Sequence, residues 1–452
     1  MKSENGGMRR VAAASVIGAI IEWYDFFLYG VVASLVINKL YFPPGDEATS
    51  TLLAYATFAV GFIARPLGGV IFGHFGDKVG RKSMLVVTLL IMGVSTMAIG
   101  LVPTYEHIGY WAPGLLLLFR VIQGIGLGGE WGGAVLMAYE YAPADKKGFY
   151  TSLPQIGLSV GVLLSAAIIA TLSALLTDEQ FMAWGWRLAF VLSFFFVLFG
   201  LWIRLKVMET PEFAKMKSTH GEAKVPFFDM CKRFPGNMLL GLGARHIDGV
   251  FFNIFSVFAI SYLTSHIGMT RNDALVGVMV GAVVLTIFIP IFGRISDWVG
   301  RPKLYGIASL VVAASIYPAF WVFTHANGNT MMIWAAIAVP YGIFYAAVYG
   351  TVAVFLCELF DARVRYTGIS FVYQFSSVTA GGLTPIIATV LVTWAGGTPW
   401  LVCAYVAVSG VMSSICAFII KSRAGKMSHT ANLETHREHG GRAQYSQSSS
   451  RM

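Results

Sequence analysis

Charged side chains sit inside segments that are otherwise apolar. The first such segment holds Glu22-Trp-Tyr-Asp25-Phe-Phe-Leu-Tyr29, and steps of three and four residues put Glu22, Asp25 and Tyr29 on one helical stripe. A carboxyl there can bind and release a proton as its exposure alternates, because burial and a nearby guanidinium act on it in opposite senses. Asp25 or Glu22 is therefore a candidate proton carrier; the plainer reading is that one of them neutralises Arg65 or Arg120. A later segment reads Arg120-Val-Ile-Gln123-Gly-Ile-Gly-Leu127-Gly-Gly-Glu130, in which Arg120, Gln123, Leu127 and Glu130 share a face. A charge within a membrane span is costly and faces a partner or a cavity. Arg120 can thus hold an anionic substrate, modulate a proton-carrying carboxylate, or make a structural ion pair, and Glu130 carries the same functional and structural readings.

Three further groups could do chemistry. Arg65, in Arg65-Pro66-Leu-Gly68-Gly69, can pair with a first-segment carboxylate, meet substrate, or serve structure alone. In Arg245-His246-Ile-Asp248 the Arg and Asp are three apart and can pair; alternatively Arg245 faces substrate. His246 reads as a satisfied polar residue. Tyr341, Tyr345 and Tyr349 lie on one stripe, as a cavity wall or as packing.

These residues must be positioned by two related halves. Gly73-His-Phe-Gly-Asp77-Lys-Val-Gly80-Arg81-Lys82 recurs 220 residues later as Gly293-Arg-Ile-Ser-Asp297-Trp-Val-Gly300-Arg301-Pro-Lys303. Gly148 and Gly368 repeat the interval, and Gln155 and Gln374 follow 219 apart. Two copies of an Asp/Arg loop at matched positions favour a gating latch built on Asp77, Arg81, Asp297 and Arg301 over a plain topogenic turn. Halves of like orientation meeting at a central site are the layout of a rocking transporter. Gly124, Gly128 and Gly132 have the small-x-x-x-small spacing that lets helices approach closely.

Composition says what holds the halves. The 452 residues are 56% hydrophobic and 12% charged, with mean hydropathy +0.68. Several runs exceed the roughly 18 apolar residues of a membrane span, so an all-α polytopic membrane protein is expected. Twelve spans are read, near 11–37, 52–75, 83–102, 114–140, 148–176, 186–206, 238–265, 273–293, 303–325, 330–357, 367–394 and 400–421. They group as six-helix bundles over 1–206 and 236–421, joined by a cytoplasmic loop over 207–235 and followed by a disordered tail over 422–452. This topology leaves only Lys39 and Arg271 on the outer side, with Arg65, Arg120, Arg187 and Arg245 in or beside spans and the other Lys and Arg inside. The positive-inside rule thus accounts for the net charge of +9 without nucleic acid. Both termini are then cytoplasmic. Met8-Arg9-Arg10 precedes a run that is too long, and too acidic at Glu22 and Asp25, for a cleaved signal.

The sequence carries no P-loop, no nucleophile–base pair and no His/Cys ligand spacing. No enzyme activity, metal or cofactor is expected, and Cys231, Cys357, Cys403 and Cys416 read as small apolar residues.

The Asp/Arg loops and the Arg120-Val-Ile-Gln123-Gly124 run resemble the major facilitator superfamily. Glu22-Trp-Tyr-Asp25-Phe, Arg65-Pro66-Leu-Gly-Gly, Gly128-Gly-Glu130-Trp-Gly-Gly, Trp184-Gly-Trp-Arg187 and Glu209-Thr-Pro-Glu-Phe213 together are similar to its metabolite:proton symporters. Thr177-Asp-Glu-Gln-Phe181 through Arg187 is similar to the shikimate branch. The resemblance implies proton-driven uptake of a small polar metabolite across a bacterial inner membrane, with lipid around a monomer that has its own pathway. The reading that follows is symport of a small organic acid, shikimate-like or a dicarboxylate. Arg120 and Arg245 would anchor a carboxylate, Gln123, Tyr29, Tyr345 and Tyr349 would contact the substrate, and Asp25 or Glu22 would carry the proton, with Glu130, Arg65 and Asp248 as further coupling candidates. A zwitterion such as proline or betaine, or a uniporter or antiporter of the same fold, is the alternative.

Overall fold

The computed structural model describes residues 2–45, 47–79, 81–205, 226–360 and 365–422; the side chains of 2–14, 34, 47, 73–79, 81, 82, 85, 204 and 226–229 are outside that description. The side chains of Asp77 and Arg81, most of the central loop and the tail from 423 therefore lie outside the described residues.

Among the described residues eleven helices are long and apolar enough to cross a bilayer, and a shorter apolar run, Val86–Leu101, completes a set of twelve. In lipid each backbone polar group must be satisfied within its own segment, which leaves the helix as the solution. The helices are α1 (Lys2–Val32), α2 (Glu47–Val79), α3 (Arg81–Leu101), α4 (Trp111–Tyr141), α5 (Ala144–Leu175) and α6 (Asp178–Ile203), then α7 (Pro235–Ser265), α8 (Arg271–Val299), α9 (Arg301–His325), α10 (Thr330–Cys357), α11 (Arg365–Trp394) and α12 (Trp400–Ser422). Polar side chains set several starts. Thr177 and Gln180 form a reciprocal capping box at α6, while Thr270 and Asn329 cap α8 and α10. Gly300 alone separates α8 from α9, at φ +93°, a conformation L side chains rarely adopt.

Regular helix is interrupted where the sequence offered no break. α4 turns at Gly129–Glu130. Wider π turns occur at Ala33–Ile37, beyond α1, and at Ile254–Phe258, within α7, so the repeat extends to a backbone irregularity. Across the middle of the molecule α1 meets α7, α2 meets α11, α4 meets α10 and α5 meets α8.

Within the first half, α2 and α4 touch backbone to backbone. A β-carbon at Gly124 would stand 2.8 Å from the Ala64 Cβ, and one at Gly128 would stand 2.9 Å from the Gly69 main-chain nitrogen. The small-residue spacing of α4 thus packs against α2, as expected.

Gly124→Val would force these helices apart. Overpacking of this kind costs about 1–3 kcal/mol. We expect a lower melting temperature in detergent and a smaller monodisperse fraction on gel filtration, whereas Gly114→Ala, where nothing stands near the added carbon, changes neither.

Candidate functional site

The helices leave a small cavity of about 20 Å³ between the halves. α1 contributes Trp23 and Phe27, and α2 contributes Phe62 and Arg65. The other half supplies most of the polar wall: Arg245, Asp248 and Asn253 from α7, Tyr345 and Tyr349 from α10, and Tyr373 and Ser377 from α11.

Arg245 has a carboxylate partner there, while its Nε has no partner among the described residues. Its Nη2 lies 3.3 Å from Asp248 Oδ2, its Nη1 donates to Ser376 Oγ at 2.8 Å, and its guanidinium lies 3.6 Å from the Tyr373 ring centre. Tyr345 donates its hydroxyl to Asp248 Oδ1 at 2.7 Å. Tyr341, Tyr345 and Tyr349 stack in a ladder with ring centres 5.9 and 5.6 Å apart, and the Tyr349 hydroxyl has no hydrogen-bond partner. The stripe is therefore both packing and wall. Arg65 donates Nε to Gln374 Oε1 at 2.8 Å across the two halves.

The structure does not bring Arg120 to this cavity beside Arg245. Arg120 is fully buried within the first half, where Nη1 donates to Gln123 Oε1 at 2.7 Å and Nη2 to the Phe58 carbonyl at 3.0 Å. The rings of Phe26, Tyr29 and Phe58 surround it at 4.4 to 5.2 Å. Its donors go to a side-chain amide and main-chain carbonyls, so an expected substrate anchor lies in a polar core instead. Gln123 also donates to Thr96 Oγ1 at 2.6 Å, and Tyr29 and Thr57 share a short hydrogen bond; neither Gln123 nor Tyr29 is on the wall.

Asp25 belongs to the same core. Ser193 donates to its Oδ1 at 2.5 Å, its Oδ2 has no partner, and no cation is paired with it among the described residues. The expectation that a first-segment carboxylate neutralises Arg65 or Arg120 does not hold for Asp25. Glu22 and Glu130 are buried, away from the cavity wall, and Thr88 donates to Glu130 Oε2 at 3.4 Å.

Polar groups tie the two halves together near both ends of α8. At one end Asp297 reaches across to the first turn of α5, accepting from the Gly148 and Phe149 main-chain N–H groups at 2.7 and 3.2 Å. An anion at a helix N-terminus is favoured by the free N–H groups and the helix dipole. Arg301 holds Asp297 at 3.0 Å and Glu358 at 3.1 Å, and Arg294 donates to the Asp145 carbonyl at 2.6 Å. Burial raises the Glu358 carboxyl above its ordinary range, with Arg301 opposing. Above this latch Gln155 donates to the Tyr349 carbonyl at 3.4 Å and Gln374 to the Gly128 carbonyl at 2.8 Å, so each repeat-related glutamine crosses to the other half. At the far end Arg271 donates to Ser173 at 3.1 Å and pairs with Asp178 at 3.4 Å.

Tyr373, Ser376, Ser377 and Asn253 carry no signal that the sequence reading used. Gln374 was marked only by its interval from Gln155, which did point to a site of contact. Arg187 donates to the Gly100 and Val102 carbonyls at 2.8 and 2.7 Å, closing the end of α3.

Residues 11–232 match the sugar (and other) transporter family. The shikimate transporter of Escherichia coli (strain K12) is 40% identical over 416 residues, covering 91% of this chain and 94% of that one. The glycine betaine/proline/ectoine/pipecolic acid transporter OusA of Dickeya dadantii (strain 3937) is 32% identical over 94% of this chain and 85% of its own. The proton:xylose symporter XylE bound to 6-bromo-6-deoxy-D-glucose superposes with a TM-score of 0.74 at 18% identity, over 93% of this chain and 96% of that one, which establishes a shared fold.

Two outcomes follow from this geometry. Breaking a buried ion pair by removing one partner costs about 3–5 kcal/mol. Asp248→Asn should therefore lower thermal stability markedly, and Arg245→Gln/Asp248→Asn should recover most of the loss in a double-mutant cycle. A side-chain cap contributes ~1 kcal/mol, or about fivefold in an opening equilibrium. Asp297→Ala should accordingly speed maleimide labelling of Ser152→Cys, whose position packs against Gly293, by about fivefold on a cysteine-free background.

Proposed function

This chain belongs to the major facilitator superfamily, among its metabolite:proton symporters, and on that premise we propose that it takes a small organic acid into the cell together with a proton by alternating access. The observation that carries the reading is the charge of the cavity: two guanidiniums, Arg65 and Arg245, against one carboxylate, Asp248. An apolar pocket with a few convergent polar groups is the usual form of a small-molecule site. A cationic one favours an anion, and the tyrosine hydroxyls of α10 with Asn253 and Ser377 supply contacts for hydroxyl or carbonyl groups.

The proton is assigned to Asp25. It is a buried carboxylate with no paired cation among the described residues, and Gln123 links its main chain to Arg120, the Gln123 Nε2 lying 3.4 Å from the Asp25 carbonyl. Arg120, Gln123 and Tyr29 then act on the proton site and leave the substrate to Arg65, Arg245 and the tyrosines. The Asp297/Arg301 latch holds the cytoplasmic side shut. The bacterial inner membrane, cytoplasmic termini and a monomeric pathway complete the proposal. Support for the acid comes from the 40% identity to a shikimate transporter over nearly the whole chain.

The test is uptake of labelled shikimate by a transport-deficient strain, with 2-oxoglutarate, proline and betaine as competitors. A symporter concentrates its substrate, gains rate as the external pH falls, and loses concentration on addition of a protonophore. Asp25→Asn should abolish accumulation while sparing exchange of labelled for unlabelled substrate. Accumulation that ignores the protonophore would replace the symporter with a uniporter or antiporter. Competition by proline and betaine alone would replace the acid with a zwitterion.

A further inference from the structure

Among the described residues, Arg65 is the cavity arginine that no carboxylate neutralises. It is 1% exposed, its Nε donates to Gln374 Oε1, and its Nη2 is buried with no partner among the described residues. No carboxylate pairs with it among the described residues, whereas Arg245 has Asp248. Trp23, Phe26, Phe62 and Tyr373 stand around it with ring centres 5.3 to 5.7 Å from the guanidinium carbon. Rings attract a cation but offer its N–H groups no strong acceptor. The Nε–Nη2 edge is the fork that a carboxylate grips with both oxygens. Here one prong holds a neutral amide oxygen and the other holds nothing.

We propose that a single substrate carboxylate docks on the Nε–Nη2 edge of Arg65 in place of the Gln374 amide oxygen, so that the site selects monoanions. This deepens the organic-acid reading and rests on it. The selection follows from charge. One carboxylate brings the cavity to neutrality. A second would find only Arg245, whose Nη groups hold Asp248 and Ser376 and whose Nε alone is free, and would leave the cavity with a net negative charge. A zwitterion brings a cation that would have to take Asp248 from Arg245.

The position of Gln374 gives the docking a consequence. The same amide that lends Oε1 to Arg65 on α2 donates Nε2 to the Gly128 carbonyl on α4, so one side chain ties α11 to two helices of the other half. A carboxylate that takes Arg65 frees the amide and loosens that tie. Gln155, its counterpart, holds Trp131 Nε1 at 2.9 Å and the Tyr349 carbonyl, and no arginine. Only one of the two repeat-related clamps thus senses the ligand.

The experiment is equilibrium binding to the full-length protein in lipid nanodiscs, read by tryptophan fluorescence, which Trp23 on the wall reports. Probes are shikimate, lactate and benzoate as monoanions, 2-oxoglutarate and succinate as dianions, and the methyl ester of the best acid as its neutral counterpart. Wild type should prefer the acid to its ester by about tenfold or more, as expected for a charge-assisted bond, and monoanions to dianions. Arg65→Gln should bring the acid-to-ester ratio near one, and Arg65→Lys should restore part of it. Gln374→Glu, which fills the fork from within, should lose the acid, while Gln374→Ala binds it at least as tightly as wild type. A purely structural role for Arg65 would weaken acid and ester alike. An unchanged ratio in Arg65→Gln, a preference for dianions, or equal loss in Gln374→Ala and Gln374→Glu would overturn the proposal. If dianions are preferred and are also accumulated by cells, the organic-acid reading stands and only the docking rule falls; if wild type binds no acid, both fall.

Discussion

A guanidinium surrounded by hydrocarbon must find its acceptors within the protein, and this chain buries three of them near its middle. Arg245 has a carboxylate, Arg120 has an amide and main-chain carbonyls, and Arg65 has one amide oxygen. Aromatic rings fill the remaining space around each, and Phe26 lies beside both Arg65 and Arg120. The cost of an unpaired buried ion, of order several kcal/mol, explains why the neighbouring positions are so specific. Phe26 cannot become aliphatic without exposing two cations to a poorer environment. The polarity of the cavity, the partners of α11 and the composition of the first-half core all follow from where these arginines are met.

Stiffness and looseness are divided accordingly. Within the first half, α2 and α4 meet main chain to main chain, a contact with no side chain to yield. Between the halves, close approaches such as Gly148 to Gly293 are joined by polar ties, among them a carboxylate on two N–H groups, two amides on two carbonyls, and an exposed ion pair at the far end. Exposed ion pairs contribute little, commonly under ~1 kcal/mol. The π turn within α7 and its counterpart beyond α1 lie near the Phe27–Phe252 contact, 4.9 Å between ring centres, where the halves meet.

The membrane spans were legible in the sequence because each is a run of apolar residues with a length fixed by the bilayer. Asp297 was legible because the loop occurs twice, and Arg245–Asp248 because a three-residue step fixes both groups on one helical turn. Helical spacing says which residues share a face, but not which helix that face meets. For this reason Arg120 could be placed on a stripe with Gln123 while its enclosure by Phe58 and Tyr29 stayed hidden. Arg65 and Gln374, 309 residues apart, are joined by packing alone. Tyr373 had no charge or repeat to mark it, although Arg245 lies over its ring and Trp131 stacks on it at 3.5 Å.

The ties across the middle share a chemical habit: Asp297, Gln155 and Gln374 all grip peptide groups of the opposite half. A peptide group is present whatever side chain it bears. The hydrogen bond itself therefore does not depend on the side chain at the gripped position, although at Gly128 and Gly148 close packing admits none. A protein fastened this way can keep two halves in register while their sequences part company. It also leaves a sparse imprint: a short Asp/Arg loop and two glutamines stay recognisable, at intervals of 220 and 219 residues, and the surfaces that they hold do not.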